Sequence, residues 1–225
     1  MTPITRRTAL AALGAAITAP AHAHSVQELK DEFYAKEEYF EAFDKPVPDF
    51  TLSDAAGALV HPADFLGQVV VLHFIYSSCP DVCPLHAEKL AEVQREVIQT
   101  PMKDRVRFVS ITTDPTKDTA AVLTAYGPQH GLDPLNWQFL TIAPGAPEDT
   151  TRTLAKAFGH SFTVESEGTQ THGVVTHIIG KFGRWQGNFH GLEFQTLNMV
   201  MFINALTNDY DKPELGFWDR LWGWL

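Results

Sequence analysis

The nine residues 68–76, "QVVVLHFIY", constrain the fold of this chain more than any other stretch. Branched and aromatic side chains run through it without polar alternation, and Gly67 and Ser77 bound it. Such a run suits a strand buried on both faces, as in the middle of a sheet covered by helices. Both cysteines of the chain follow at once, in "SSCPDVCPLH" (77–86). A helix is then predicted from about 84 to 98, with Leu90, Val93 and Val97 on one face. Strand, cysteine loop and helix stand in series. In open α/β sheets reactive groups collect at the carboxyl ends of strands, where this loop begins.

The other elements extend the pattern. Residues 49–65 predict two short strands around a turn at Ala56-Gly57. "RVRFVSITT" (105–113) predicts a second buried strand, 114–127 a turn and a capped helix, 137–142 a third strand, and 147–159 a third helix. "THGVVTHIIG" and "RWQGNFHG" flank Lys181-Phe182-Gly183 as a hairpin, and a last core helix covers about 193–208. Residues 26–44 set acids and aromatics three and four apart, which predicts an amphipathic helix outside the main domain; Lys45-Pro46-Val47-Pro48 then reads as a stiff linker. Strands alternating with helices, then a hairpin and a closing helix, make an α/β order. A buried strand delivering cysteines to a helix start is the thioredoxin arrangement. The expected fold is therefore thioredoxin-like: a central mixed β-sheet flanked by helices, with an N-terminal helical extension and an aromatic C-terminal tail.

Residues 1–23 read as a signal peptide. Arg6 and Arg7 precede an apolar run over 9–19, and Ala21-His22-Ala23 is a small-x-small cleavage pattern. The run falls short of the ~20 residues that a membrane span needs. Thr5-Arg6-Arg7 permits a twin-arginine route. Export implies an oxidising, periplasmic location. The domain map is then 1–23 signal peptide, 24–45 N-terminal extension, 46–208 thioredoxin-like domain and 209–225 amphipathic tail. The tail, "FWDRLWGWL" at its end, repeats Phe217, Leu221 and Leu225 every four residues with Trp218 and Trp222 alongside. Packing against the body and contact with a membrane surface or partner are its two readings. The formal net charge of −10 becomes about −12 without the leader, which holds two Arg and no acid. An acidic surface excludes nucleic acid as a natural partner and suits cations or basic proteins.

A chain of 225 residues buries enough surface to fold without a staple, so a purely structural disulfide is the weaker reading of Cys79 and Cys83. Pro80 and Pro84 push each preceding cysteine towards an extended backbone. Pro84 fits the first position of the helix. The cysteines then lie on a loop that curls onto the helix start, whose partial positive charge favours thiolates. Such a loop can close a disulfide or hold two sulfurs around an ion. Two thiolates select soft ions such as Cu(I) or Zn(II), and need a third ligand from elsewhere. The residues alone leave redox and metal work both open.

Ten histidines supply candidates for that third arm. His22 falls in the leader, and His24 would open the mature chain. His61, His130, His160 and His190 sit in predicted loops or element ends, with no metal role expected. His73 lies inside the central strand on the face of Val71 and Ile75 and reads as a core residue. His86 lines up with Leu90, Val93 and Val97 and points at the sheet; packing or hydrogen bonding is the first reading, ligation the second. His172 and His177 are an odd number apart, so on a strand they face opposite ways. His172, at the strand start beside "GTQTHG", has the reach and is the better third ligand. Met199 and Met201, in "LNMVMFINAL", read as core rather than thioether ligands.

Taken together, "CPDVCP" (79–84), "VSITTDPTKDTAAVLTAYG" (109–127) and His172 eleven residues before Gly183 resemble the Sco (SenC) copper chaperones of cytochrome c oxidase assembly. The resemblance covers about 46–205. It implies a thioredoxin-like fold holding one copper, as Cu(I) or Cu(II), through Cys79, Cys83 and His172, with His86 as a possible extra ligand. It implies a metallochaperone rather than an enzyme, whose partners are the copper-bearing subunit of the oxidase or another copper chaperone. Its alternative is a thiol–disulfide reductase acting on the oxidase or other exported proteins through a redox-active Cys79–Cys83 disulfide pair. This chain departs from the family pattern at Thr171, where Asp usually precedes the ligand histidine, at Gly180-Lys181 in place of Asp-Pro, at Lys117 in place of Arg, and at His86 in place of a small polar residue. "DPTKDT" (114–119) by itself reads as a turn with Thr116 or Asp118 capping the next helix.

Overall fold

The computed structural model describes residues 36–164, 170–171 and 173–209, together with Glu28, Lys30 and Asp31. The strands are β1 (Phe40–Pro46), β2 (Leu52–Asp54), β3 (Leu59–Val60), β4 (Val69–Ile75), β5 (Val106–Thr112), β6 (Trp137–Ile142), β7 (Thr163–Val164), β8 (Gln170–Thr171), β9 (Val175–Ile179) and β10 (Arg184–His190). The helices are α1 (Val82–Ile98), α2 (Ala120–Gln129), α3 (Thr150–Ala157) and α4 (Thr196–Asn208). Eight strands form one mixed sheet in the order β1-β10-β9-β4-β5-β6-β2-β3, while β7 and β8 pair separately.

The apolar run behaves as its composition requires. Every residue of β4 is buried, and the strand sits between parallel β5 and antiparallel β9. Its side chains divide between two cores. Val69, Val71 and Ile75 join Leu90 and Val93 of α1, Leu123 of α2 and Met199 of α4. Val70, Leu72 and Phe74 join Leu154 and Phe158 on the α3 side. Each large side chain so buried contributes about 1.5–3 kcal/mol, which is why β4 is central rather than an edge.

The N-terminal stretch departs from its helical periodicity. Glu28, Lys30, Asp31 and Lys36 are helical, but Phe40–Pro46 is the strand β1, paired antiparallel with β10. Tertiary packing overrides local spacing here: the Phe40 ring lies over Gly187 of β10, where a Cβ would meet it at 2.7 Å. The same ring contacts Phe189 and Phe202 at centroid distances of 5.0 Å. Phe43, on the opposite face, packs on Trp185. The buried Glu37 carboxylate accepts from the Gln195 amide at 3.0 Å and the Asn198 amide nitrogen at 2.8 Å. It thereby ties the Gln195 backbone amide and the Asn198 side chain at the start of α4 to the segment before β1, where Gln195 itself gives no side-chain cap.

Of the two methionines expected in the core, Met199 is fully buried, whereas Met201 is 41% exposed on the outer side of α4. The tail from Tyr210 onward and the leader lie outside the described residues. No helix among the described residues is long and apolar enough to cross a membrane. The hairpin between β9 and β10 turns at Gly183, whose φ of +72° is one that other residues rarely adopt.

One close approach fixes α2 on the sheet. A Cβ on Gly127 would sit 2.4 Å from the Trp137 ring. The ring is held in place, because its indole nitrogen donates to Ser110 at 2.9 Å. Gly127→Ala is expected to destabilise the protein by about 1–3 kcal/mol through this overlap, read as a lower urea midpoint with unchanged slope. An unaltered midpoint would show that α2 can lift without cost.

Candidate metal and thiol site

The cysteine loop leaves the carboxyl end of β4 and runs into α1. The Cys79 amide donates back to the Tyr76 carbonyl at 3.2 Å, which curls the loop. The helix begins at Val82, so Cys83 is its second residue, helical rather than extended on a loop as the following proline suggested, and Pro84 is its third, two places later than expected. This costs nothing, since the first four amides of a helix have no partner within it. Asp81 stands at the N-cap without a side-chain cap. Sulfur takes that part instead: the Cys83 amide donates to Cys79 Sγ at 3.4 Å. Both thiols are free and buried, Cys79 being 7% and Cys83 2% exposed.

The two thiols are unlike. Burial pushes Cys79 upward, yet hydrogen bonds from the Asp81 amide, from Cys83 and from Tyr76 outweigh it and hold the thiol below its ordinary value. Burial drives Cys83 far above its ordinary value; the Tyr76 backbone offsets this only in part, and the charges of Cys79 and Asp118 add to it. The two thiols are thus shifted in opposite directions, Cys79 down and Cys83 up.

Asp118 is the site residue that the sequence reading undervalued. Thr119, not Thr116 or Asp118, caps α2, its hydroxyl accepting from the Val122 amide at 3.5 Å. The Asp118 carboxylate is 1% exposed and turns inward. It accepts from the Ser77 amide at 3.1 Å, from the Ser77 hydroxyl, and from the Thr112 hydroxyl at 2.5 Å. It thus ties the start of the cysteine loop to the end of β5. The signal was present as an acid just before a capping threonine, but only the crossover from β5 to α2 shows which way it points.

His172 lies outside the described residues. The strand that follows it is described, and its register is informative. Thr176 of β9 pairs with His73 of β4, and the strands are antiparallel. The chain preceding β9 therefore leaves the sheet at the same end as the cysteine loop. His86 is 3% exposed, and its Nε2 lies 2.8 Å from the Thr176 hydroxyl, so it links α1 to β9. Its ring also meets His73 edge-on at 4.9 Å. His73 is buried, its Nε2 3.2 Å from Ser110 Oγ. Among the described residues, no three His, Cys, Asp or Glu side chains form a group that could hold a metal ion. The described donors fit a soft cation in chemistry, one sulfur on the loop and one in the first turn of α1, and need one further ligand.

A second histidine cluster, which no spacing in the chain foreshadows, lies on the other face of the sheet. His160 Nε2 is 2.9 Å from His177 Nε2, and His177 Nδ1 is 2.7 Å from Asn188 Oδ1. Trp185 donates its indole proton to the same Asn188 oxygen at 2.9 Å, which marks that atom as an acceptor. His177 then carries its proton on Nδ1, and its bare Nε2 accepts from His160. Burial first, and the charge of His160 next, hold His177 well below the usual imidazole range.

A buried strand, a thiol pair at a helix start and a mixed sheet covered by helices make a thioredoxin-like fold. The sequence profile of the SCO1/SenC family matches residues 41–208, and the chain belongs to that family. A relative is the mitochondrial SCO2 homolog of Bos taurus, 42% identical over 78 residues, which are 35% of this chain and 29% of that protein. The match therefore spans less than a third of the relative's length. Among solved structures, the Sco family cytochrome c oxidase assembly protein BsSco superposes with a TM-score of 0.62 at 20% identity, covering 75% of this chain and 96% of that one. Copper-bound ScoI of Bradyrhizobium japonicum does so with a TM-score of 0.59 at 22% identity, covering 72% and 99%. At these identities the likeness establishes the fold.

Proposed function

We propose that the chain is a periplasmic copper-binding chaperone that delivers copper to the binuclear centre of cytochrome c oxidase. The observation that carries this reading is the sulfur pair: two buried, adjacent soft donors at a helix start, one already accepting an amide proton. The β9 register supports His172 as the third ligand, because it brings the preceding chain to the same end of the sheet. Family membership supports it too, as do the copper held by the Bradyrhizobium ScoI structure and the oxidase-assembly role of BsSco. When bound, copper would be held by Cys79, Cys83 and His172 as cargo, in a three-coordinate site open to a partner's sulfur.

The test is titration of reduced protein with Cu(I) and Cu(II). The wild type is expected to bind one equivalent and to show thiolate-to-Cu(II) absorption. His172→Ala is expected to lose that absorption and more than ~100-fold in affinity, beyond what residues around a site usually contribute. An unchanged spectrum in the variant would remove His172 from the site. The inequality of the thiols favours one second reading, a thiol–disulfide reductase in which Cys79 attacks and Cys83 resolves. Rapid reduction of a model disulfide without any copper uptake would establish that reading instead.

A further inference from the structure

The end of the sheet opposite the cysteine loop carries an apolar groove. Val70 and Leu72 of β4 and Ile179 of β9 form its floor, and Val47, Phe50 and Phe65 stand around them. Counting its open mouth, it holds about 330 Å³. None of its lining side chains is polar, so it suits an apolar side chain rather than a polar ligand that must be oriented. Two large apolar residues stand at its rim, Leu66 at 59% and Phe182 at 40% exposure. Phe182 lies between the lining glycines Gly180 and Gly183, and a Cβ on Gly183 would meet Leu66 at 3.2 Å. Apolar surface gathered in one place marks a contact site. The chain supplies a match close by. Lys181, in the turn that lines the groove, donates to the Thr207 carbonyl at 3.1 Å, and a Cβ on Gly180 would lie 3.8 Å from Leu206. The last turn of α4, which ends at Asn208, therefore rests against that turn. α4 packs on one face of the sheet and the groove opens on the other, so the residues that follow have only to round the hairpin. The sixteen residues 210–225 reach ~24 Å as a helix and more than ~50 Å extended. Packed layers are about 10 Å apart. The stripe of Phe217, Trp218, Leu221, Trp222 and Leu225 spans nine residues, 217–225. That is below the ~12–15 at which a helix holds in water alone, so the stripe needs an apolar surface. The groove is the apolar surface beside its root.

We propose that the tail, residues 210–225, rounds the hairpin between β9 and β10 and seats its aromatic stripe in the groove of its own domain. One large side chain fills the groove, and Leu66 and Phe182 cover its flanks. The tail then closes the end of the domain remote from the thiols and leaves the cysteine end open to partners. This role does not depend on copper.

Tryptophan fluorescence of the full chain tests it. Three of the five tryptophans, Trp218, Trp222 and Trp224, lie in the tail, and the other two, Trp137 and Trp185, are buried in the body. The wild type is expected to emit at short wavelength and to resist quenching by acrylamide, without change on dilution. Leu66→Glu combined with Phe182→Glu alters only exposed positions of the body. It is expected to shift the emission to the red and to raise quenching severalfold. Phe217→Glu combined with Leu221→Glu keeps all five tryptophans and is expected to do the same from the tail's side. Joining the two pairs should add nothing further, as befits two surfaces of one contact. Alkylation of the cysteines, at the far end of the domain, is expected to keep its wild-type rate, which separates an unseated tail from an unfolded body. A body pair that leaves emission and quenching at wild-type values overturns the proposal. So does shielding that is lost on dilution together with a dimer in sedimentation, which would give the groove to a second copy. Tail tryptophans quenched freely in buffer, and shielded only when vesicles of phosphatidylethanolamine and phosphatidylglycerol are added, would give the tail to a membrane surface instead.

Discussion

Replacing Asp118 by Ala is expected to cost about 3–5 kcal/mol and to loosen the cysteine loop. Its carboxylate receives three donors, the half-buried Ser77 amide and hydroxyl and the fully buried Thr112 hydroxyl. Removing the acceptor leaves buried donors unsatisfied, each at about 1–3 kcal/mol, with partial recovery as water enters. The Ser77 amide stands two residues before Cys79, so the loss falls on the loop itself. Equilibrium unfolding in urea measures the energy. Faster alkylation of both thiols in the folded variant measures the loosening. A variant with native stability and native thiol kinetics would show that Asp118 is incidental to the site.

Acid is expected to weaken the fold through His177. Its folded value lies well below the 6.5 of an unperturbed imidazole, which stands for the unfolded chain. The unfolded state therefore binds the extra proton first as pH falls. The stabilisation is fully present above about pH 6.5 and is lost below it, at up to ~1.4 kcal/mol per pH unit until the folded group titrates. Protonated His177 would also turn a second N–H towards the one that His160 donates, and break that link. Stability should thus fall as the pH drops from 6.5 towards 5. Unfolding free energies measured across that range check it, with His177→Gln as the comparison. An equal slope in both proteins would place the acid sensitivity elsewhere.

The central sheet was legible because burial on both faces leaves a compositional trace. The runs at 68–76, 105–113 and 137–142 became β4, β5 and β6. The cysteines could be placed near a helix start because a proline fits the first turn, although Cys83 is helical and not extended as the rule for the residue before proline suggested. Two things were not legible. Phe40 and Phe43 fit a helix or a strand equally well by spacing, and only β10, about 150 residues further on, decides between them. Inward-facing acids and hydroxyls carry no periodic signal at all. Asp118 looks like a helix cap until the crossover geometry turns it inward onto Ser77 and Thr112. His86 shows the converse: its stripe with Leu90 and Val93 correctly pointed it at the sheet, where Thr176 receives it.

The pairing of β1 with β10 also sets an order of events in folding. Phe40 lies opposite Phe189, so the edge of the sheet joins the beginning of the domain to its end. A chain made from its N-terminus produces β1 first and its partner nearly last. Contacts of such long sequence separation form slowly, because a long loop must close before they give any return. Until then the β10 side of the hairpin is an unpaired edge, open to the same strand from another copy. Slow refolding with concentration-dependent dimer formation is the kinetic signature that this seam carries.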